Sequence, residues 1–248
     1  MCSVVILRRP GHPWPVLFAA NRDEMKSRPW LPPGRHWSDR PGTVAGLDRL
    51  AGGSWLGVND HGLIAGIMNR MNSLGPSPGK RSRGELVLEA LDHADAVAAA
   101  EALGALEPAA YRPFNLVLAD NRDSFWLVNS GEQIKVEPLP AGISMITAHD
   151  RNDVAHSRRI RHFLPLFEAA PAPDPRSGNW GSWERLMASR QFAEGGNLYD
   201  AMTIAGKDGF ETLSSALLAL PAAGGEDKPI WRFAPGRPDL TLYEPVAI

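Results

Sequence analysis

The chain has 248 residues, of which 44% are hydrophobic and 22% charged, a composition typical of globular proteins. This length suits one large domain or two small ones, and we predict one domain over residues 1–248. The formal net charge of −2 predicts no general attraction to nucleic acid, and no apolar run is long enough for stable membrane insertion. A lone cysteine and the lack of a signal peptide favour a reducing, cytoplasmic location.

The beginning of the chain predicts a β-hairpin. Residues 3–7 and 16–20 are apolar runs rich in β-branched or aliphatic side chains, and a Gly/Pro-rich stretch at 11–15 separates them. Pairing the two runs brings Cys2 close to Asn21, Arg22 and Asp23. Because alternate residues of a strand share a face, Asn21 and Asp23 are expected on one face and Arg22 on the other, pointing away from Cys2.

Cys2 directly follows the initiator Met1. Removal of Met1 would give Cys2 a free α-amine of pKa ~7.7–8.0 beside a thiol of pKa ~8.5. Such an amine can act as base for its own side chain, which is the chemistry of an N-terminal nucleophile. The alternative is that Cys2 is a small buried residue at the start of a strand.

The rest of the chain predicts hairpins, helices and further strands in segregated runs, which indicates an α+β fold with antiparallel sheets. Residues 27–39 are interpreted as an irregular loop, and a second Asn-Arg-Asp at 121–123 as a polar hairpin turn. The basic cluster at 158–162 is interpreted as the solvated face of a helix. Strands are predicted at 52–59, 63–68, 114–119, 125–128, 134–136, 143–147, 217–220, 230–233 and 240–243, and helices at 83–91, 95–106, 156–168 and 183–192.

Several motifs resemble one family. They are Met1-Cys2, Ala19-Ala20-Asn21-Arg22-Asp23-Glu24, Ser27-Arg28-Pro29, Gly46-Leu47-Asp48, Gly52-Gly53-Ser54-Trp55-Leu56-Gly57, Arg83-Gly84-Glu85-Leu86 and Phe114-Asn115-Leu116. Together they resemble the NRDE proteins, also called the transport and Golgi organisation family, which is in turn similar to N-terminal nucleophile (Ntn) hydrolases. The resemblance implies a four-layer αββα sandwich of two antiparallel sheets.

The resemblance also implies roles for individual residues. Cys2 corresponds to the nucleophile of these hydrolases, Asp23 to the aspartate that holds its amine, and Asn21 to a neighbouring asparagine. Asn69, at the end of a predicted strand, corresponds to an asparagine of the oxyanion hole. Two arginines of the related enzymes fall on Ala20 and Leu213, and a later asparagine is missing near His149, which could donate a hydrogen bond instead.

Three functions follow as hypotheses. The first is a cysteine amidase or acyl-transfer enzyme for a small amide or thioester such as an acyl-CoA, which needs no cofactor and whose pocket includes Arg22, Trp55 and His149. The second is a non-catalytic carrier of haem, lipid or acyl-CoA, with His36, His61 or Cys2 as a haem ligand. The third is a scaffold in secretion or Golgi organisation. No histidine cluster has the spacing of a metal site, and no oligomeric state is predicted.

Overall fold

The computed structural model describes residues 2–206 and 208–248, so the predicted removal of Met1 concerns a residue outside the described part. The chain divides into two compact units. The first contains the described residues of Met1–Ser27 and Ala141–Val246, and the second contains Arg28–Pro140 with the last two residues.

The elements follow one another in segregated runs. In chain order they are β1 (Ser3–Arg8), β2 (Val16–Met25), β3 (Trp30–Gly34), β4 (Thr43–Asp48), β5 (Leu56–Asn59), β6 (Ile64–Asn69), α1 (Gly84–Leu91), α2 (Ala96–Gly104), β7 (Phe114–Ala119), β8 (Ser124–Asn129), β9 (Ile134–Pro138), β10 (Gly142–Ile146), α3 (Arg158–Ala169), α4 (Gly181–Met187), β11 (Phe210–Leu220), β12 (Ile230–Ala234) and β13 (Glu244–Val246). None of these helices is long and apolar enough to cross a membrane, a finding that covers residues 2–206 and 208–248.

The first unit is a six-stranded antiparallel sheet in the order β10-β1-β2-β11-β12-β13. Helices α3 and α4 pack on one of its faces. Odd-numbered residues of the central strands, such as Val5, Leu17 and Ala19, share a buried core with Ile160 and Phe163 of α3. Because α3 is amphipathic, its apolar positions three and four residues apart all reach this core.

The second unit is a seven-stranded antiparallel sheet in the order β3-β4-β5-β6-β7-β8-β9. Helices α1 and α2 cover one face of it through a core of Leu and Ala side chains. The Asp95 side chain caps α2 by accepting a hydrogen bond from Ala98 N, which satisfies one of the free N–H groups at the helix start.

Five of the sequence predictions need correction. The strand predicted at 52–59 begins only at Leu56, and the helix predicted at 183–192 ends at Met187. Residues 30–34 form β3 within the predicted loop, because an edge strand tolerates the consecutive prolines Pro32 and Pro33. Residues 240–243 form no strand, and the last strand is the later β13. The strand predicted at 217–220 is the end of the longer β11, which begins at Phe210.

The Gly-Gly-Ser-Trp motif is a close contact between backbones. A Cβ atom on Gly53 would lie 2.4 Å from the carbonyl carbon of Gly84. Ser54 N donates a hydrogen bond of 2.9 Å to Gly84 O at the same place. Only a residue without a side chain fits between the turn and the start of α1.

We therefore expect Gly53→Ala to lower the free energy of unfolding by about 1–3 kcal/mol, the usual range for overpacking a buried site. Urea denaturation measures the change. Gly225→Ala is the control, because a Cβ atom there would lie at an ordinary contact distance of 3.7 Å from Ala222 O. Equal urea midpoints for the two variants would contradict the contact described above.

Candidate functional site

Cys2 lies beside Asp23, as the predicted hairpin requires. In the antiparallel pair of β1 and β2, Ser3 is opposite Asn21. The Cys2 Sγ atom accepts a hydrogen bond from Asp23 N at 3.4 Å and lies 3.6 Å from Asp23 O. The thiol therefore contacts the backbone of Asp23 rather than its carboxylate.

The register changes the expected partners of the thiol. Since Ser3 is opposite Asn21, one further step along β1 brings Cys2 opposite Arg22. Cys2 and Arg22 thus share one face of the sheet, contrary to the expectation that Arg22 points away. Asn21 and Asp23 lie on the other face, towards α3 and α4. Arg22 is buried, with 5% of its surface exposed.

The Asp23 carboxylate is held by side chains from two other elements. Its Oδ2 accepts a hydrogen bond of 3.1 Å from the Arg159 guanidinium, and its Oδ1 accepts one of 2.6 Å from the Thr212 hydroxyl. The same Arg159 nitrogen donates to Ser3 Oγ at 2.6 Å. The carboxylate side chain is fully buried and the Arg159 side chain is 5% exposed, so this is a buried ion pair that joins β1, β2, β11 and α3.

Arg159 is not among the site residues predicted from the sequence. The basic cluster at 158–162 was expected to be solvated, and this is wrong for Arg159, although Arg158 and Arg161 are exposed. One signal could have identified it. Arg159 is one turn before Phe163 on the apolar side of the helix, and a buried arginine requires an acidic partner.

Asn21 anchors a long segment instead of facing the thiol. Its Nδ2 donates to Met187 O at 3.0 Å and to Met202 O at 2.8 Å. Its Oδ1 is buried and accepts no hydrogen bond within the described part of the chain. The amide thus joins β2 to the end of α4 and to a point within the segment that connects α4 to β11.

Leu213, at the position where related enzymes have an arginine, lies in a β-bulge. The pairing of β11 with β2 shifts register between Thr212 and Ser214, which are opposite Asp23 and Arg22. Such bulges redirect side chains beside functional sites. Leu213 itself is buried, so an apolar side chain occupies this position.

The remaining predicted site residues belong to other elements. Asn69 is half-buried at the end of β6, opposite Phe114. His149 follows β10, whose last residue pairs with Val4 near the chain start. In the second unit, Trp55 packs over Gly46 and edge-to-face with Trp30 at 5.7 Å between ring centroids. The functional roles of Asn69, His149 and Trp55 stay predictions.

The described residues contain no group of three or more His, Cys, Asp or Glu side chains that could hold a metal ion. Two of the candidate haem ligands have polar contacts within the chain, and haem binding stays a prediction. His36 Nε2 forms a hydrogen bond of 2.8 Å with Pro32 O, and Cys2 contacts the backbone of Asp23.

Burial is the main influence on the Cys2 thiol. Burial, and secondly the Asp23 carboxylate, raise its pKa, while the Asp23 N–H and the Arg22 guanidinium act in the opposite direction. Since the net effect is an increase, the thiol carries its proton at pH 7. The sulfur therefore needs a base before it can act as a nucleophile.

Comparison with protein families gives a clear match. The model of the family described as Transport and Golgi organisation 2 matches residues 1–168. A mouse protein, "Transport and Golgi organization 2 homolog", is 32% identical over 109 residues, which are 42% of this chain and 38% of the mouse protein. The matched region thus spans less than two-fifths of the relative.

Two solved structures have a similar fold. The Caenorhabditis elegans ortholog of N-acylethanolamine-hydrolyzing acid amidase has a TM-score of 0.56 and 12% identity, covering 88% of this chain and 92% of that one. A mutant of conjugated bile acid hydrolase from Clostridium perfringens has a TM-score of 0.52 and 9% identity, covering 100% and 97%. These matches confirm the predicted Ntn-hydrolase-like fold class with two antiparallel sheets.

We expect Thr212→Val to destabilise the protein by about 1–3 kcal/mol, the usual cost of leaving a buried acceptor unsatisfied. The substitution removes the donor to Asp23 Oδ1 and the acceptor of Ile204 N. Chemical denaturation provides the measurement. Thr241→Val is the control, because the Thr241 hydroxyl forms no hydrogen bond among the described residues. An equal loss of stability in both variants would contradict the role given to the Thr212 hydroxyl.

When an extension precedes residue 1, the nitrogen of Cys2 is part of a peptide bond and cannot act as a base. In this form we expect iodoacetamide to alkylate Cys2 more slowly at pH 7 than it alkylates an unfolded cysteine, because burial raises the pKa of the thiol. Intact mass follows the reaction, since Cys2 is the only cysteine. The urea-unfolded chain is the control. If the alkylation rate of the folded protein reaches its midpoint at or below pH ~8.5, the expected increase in the thiol pKa is contradicted.

Proposed function

Because the chain belongs to the Transport and Golgi organisation 2 family and has an Ntn-hydrolase-like fold, we propose that it is a cysteine amidase or acyl-transfer enzyme. Its substrate is a small amide or thioester, and Cys2 is the nucleophile after removal of Met1. The observation that carries this proposal is the position of the Cys2 thiol at a strand end, 3.4 Å from the Asp23 N–H, with the Asp23 carboxylate held rigidly behind it.

The reaction begins with attack of Cys2 Sγ on the substrate carbonyl carbon. The thiol proton passes to the α-amine of the same residue, which is the general base that an N-terminal nucleophile carries with it. This base is needed because burial keeps the thiol protonated. The Asp23 carboxylate orients the amine by accepting one of its hydrogens.

The tetrahedral intermediate carries a negative oxygen, and donors that stabilise it lower the barrier. Asn69 is the donor that the family resemblance implies. Collapse of the intermediate breaks the bond to the leaving amine or thiol, which takes the proton from the α-amine and leaves a thioester on Cys2. Water, deprotonated by the same amine, then hydrolyses the thioester to release an acid. With an amine acceptor in place of water, the outcome is acyl transfer.

The similar folds suggest where to look for a substrate. One is an N-acylethanolamine-hydrolyzing acid amidase and another a conjugated bile acid hydrolase, and both names describe a hydrolysis. An N-acylethanolamine, a conjugated bile acid and an acyl-CoA thioester therefore form a suitable first panel.

The test uses protein expressed in the cytosol without an N-terminal tag. We expect the intact mass to show loss of Met1, and the Cys2→Ala variant to lose at least about 10³-fold in turnover of any active panel member. Asp23→Asn should lose at least tenfold. Its matched control is Asp123→Asn in the second Asn-Arg-Asp, which lies in a turn closed by Asp120. Retention of Met1, or full activity in Cys2→Ala, would refute the proposal.

A further inference from the structure

Arg159 enters the site from the helix face of the sheet, far from Asp23 in sequence. It is the second residue of α3, and Ser157 caps the helix by accepting a hydrogen bond from Ile160 N at 3.2 Å. Its Nη1 lies between Ser3 Oγ and Asp23 Oδ2, and its Nη2 donates to Tyr199 O at 2.8 Å. Three partners therefore fix the guanidinium in one orientation.

Arg159 and Thr212 hold the Asp23 carboxylate at both of its oxygens. The Arg159 guanidinium donates a hydrogen bond to Oδ2, and the Thr212 hydroxyl donates one to Oδ1. Because a carboxylate held at both oxygens cannot rotate, these two bonds fix the orientation that Asp23 presents to the first residue of a processed chain.

The charge of Arg159 matters as much as its hydrogen bonds. A carboxylate without a counterion favours the ammonium form of a nearby amine, and an ammonium group cannot accept the thiol proton. A guanidinium on the same carboxylate offsets this influence and leaves the amine free to act as a base. Ala20 cannot provide such a charge, although related enzymes have an arginine at that position.

From this geometry, and on the basis of the function proposed above, we propose that Arg159 is a positioning residue for the reaction. It fixes the Asp23 carboxylate for the N-terminal amine and offsets its charge, so that the amine accepts the Cys2 proton near neutral pH. Arg159 itself does not touch the substrate.

The experiment measures the rate of Cys2 alkylation by iodoacetamide against pH, in protein whose mass shows loss of Met1. In the wild type we expect the rate to rise in the neutral range. In Arg159→Met we expect the pH at which the alkylation rate rises to be higher by about one unit or more. Arg159→Lys keeps the positive charge, so its alkylation rate should depend on pH as in the wild type. Arg158→Met is the matched control on the same helix, because Arg158 is exposed and bonds only Gly195 O among the described residues.

A folded Arg159→Met protein with the wild-type profile would overturn the positioning role. If that variant does not fold, Arg159→Gln decides by the same measurement, since glutamine can bond Ser3 and Tyr199 without a charge. A structural role alone predicts a lower unfolding temperature with an unchanged profile. If instead the processed wild type alkylates like an ordinary thiol, the proposed function fails, which is a different result from failure of Arg159 alone.

Discussion

The buried ion pair between Arg159 and Asp23 is the interaction on which the first unit depends. Removing the water around two charges is costly, and the cost is offset only when further hydrogen bonds satisfy both groups. Thr212, Ser3 and the Tyr199 carbonyl provide those bonds. Loss of one partner of such a pair typically costs about 3–5 kcal/mol, because the other charge stays buried. The pair therefore fixes how α3 packs on the sheet.

The side chains of β2 alternate between the two faces of the sheet, and the two faces carry different chemical groups. Its helix-facing side carries Asn21 and Asp23, which are tied to backbone carbonyls and to Arg159. Its other side carries Arg22, on the same face as Cys2. The thiol and the carboxylate are thus on opposite faces of the sheet, and the thiol contacts the backbone of Asp23.

Local patterns could be predicted from the sequence, and distant contacts could not. The hairpin of β1 and β2 follows from two short apolar runs and a turn, and it correctly brought Cys2 to Asp23. The exact register decides which side chain faces which, so Arg22 was assigned to the wrong face. Arg159 and Thr212 are 136 and 189 residues from Asp23, and no short-range pattern connects them. The two prolines of β3 led to the prediction of a loop where the structure has an edge strand.

The order of strands in the first sheet has a consequence for biosynthesis. Strand β2 lies between β1 and β11, so one of its edges stays unpaired until almost the whole chain has left the ribosome. Contacts this distant in sequence slow folding, and an open strand edge invites pairing with other chains. Strand β1 has the same exposure, since β10 must be made before it can pair with the other edge of β1.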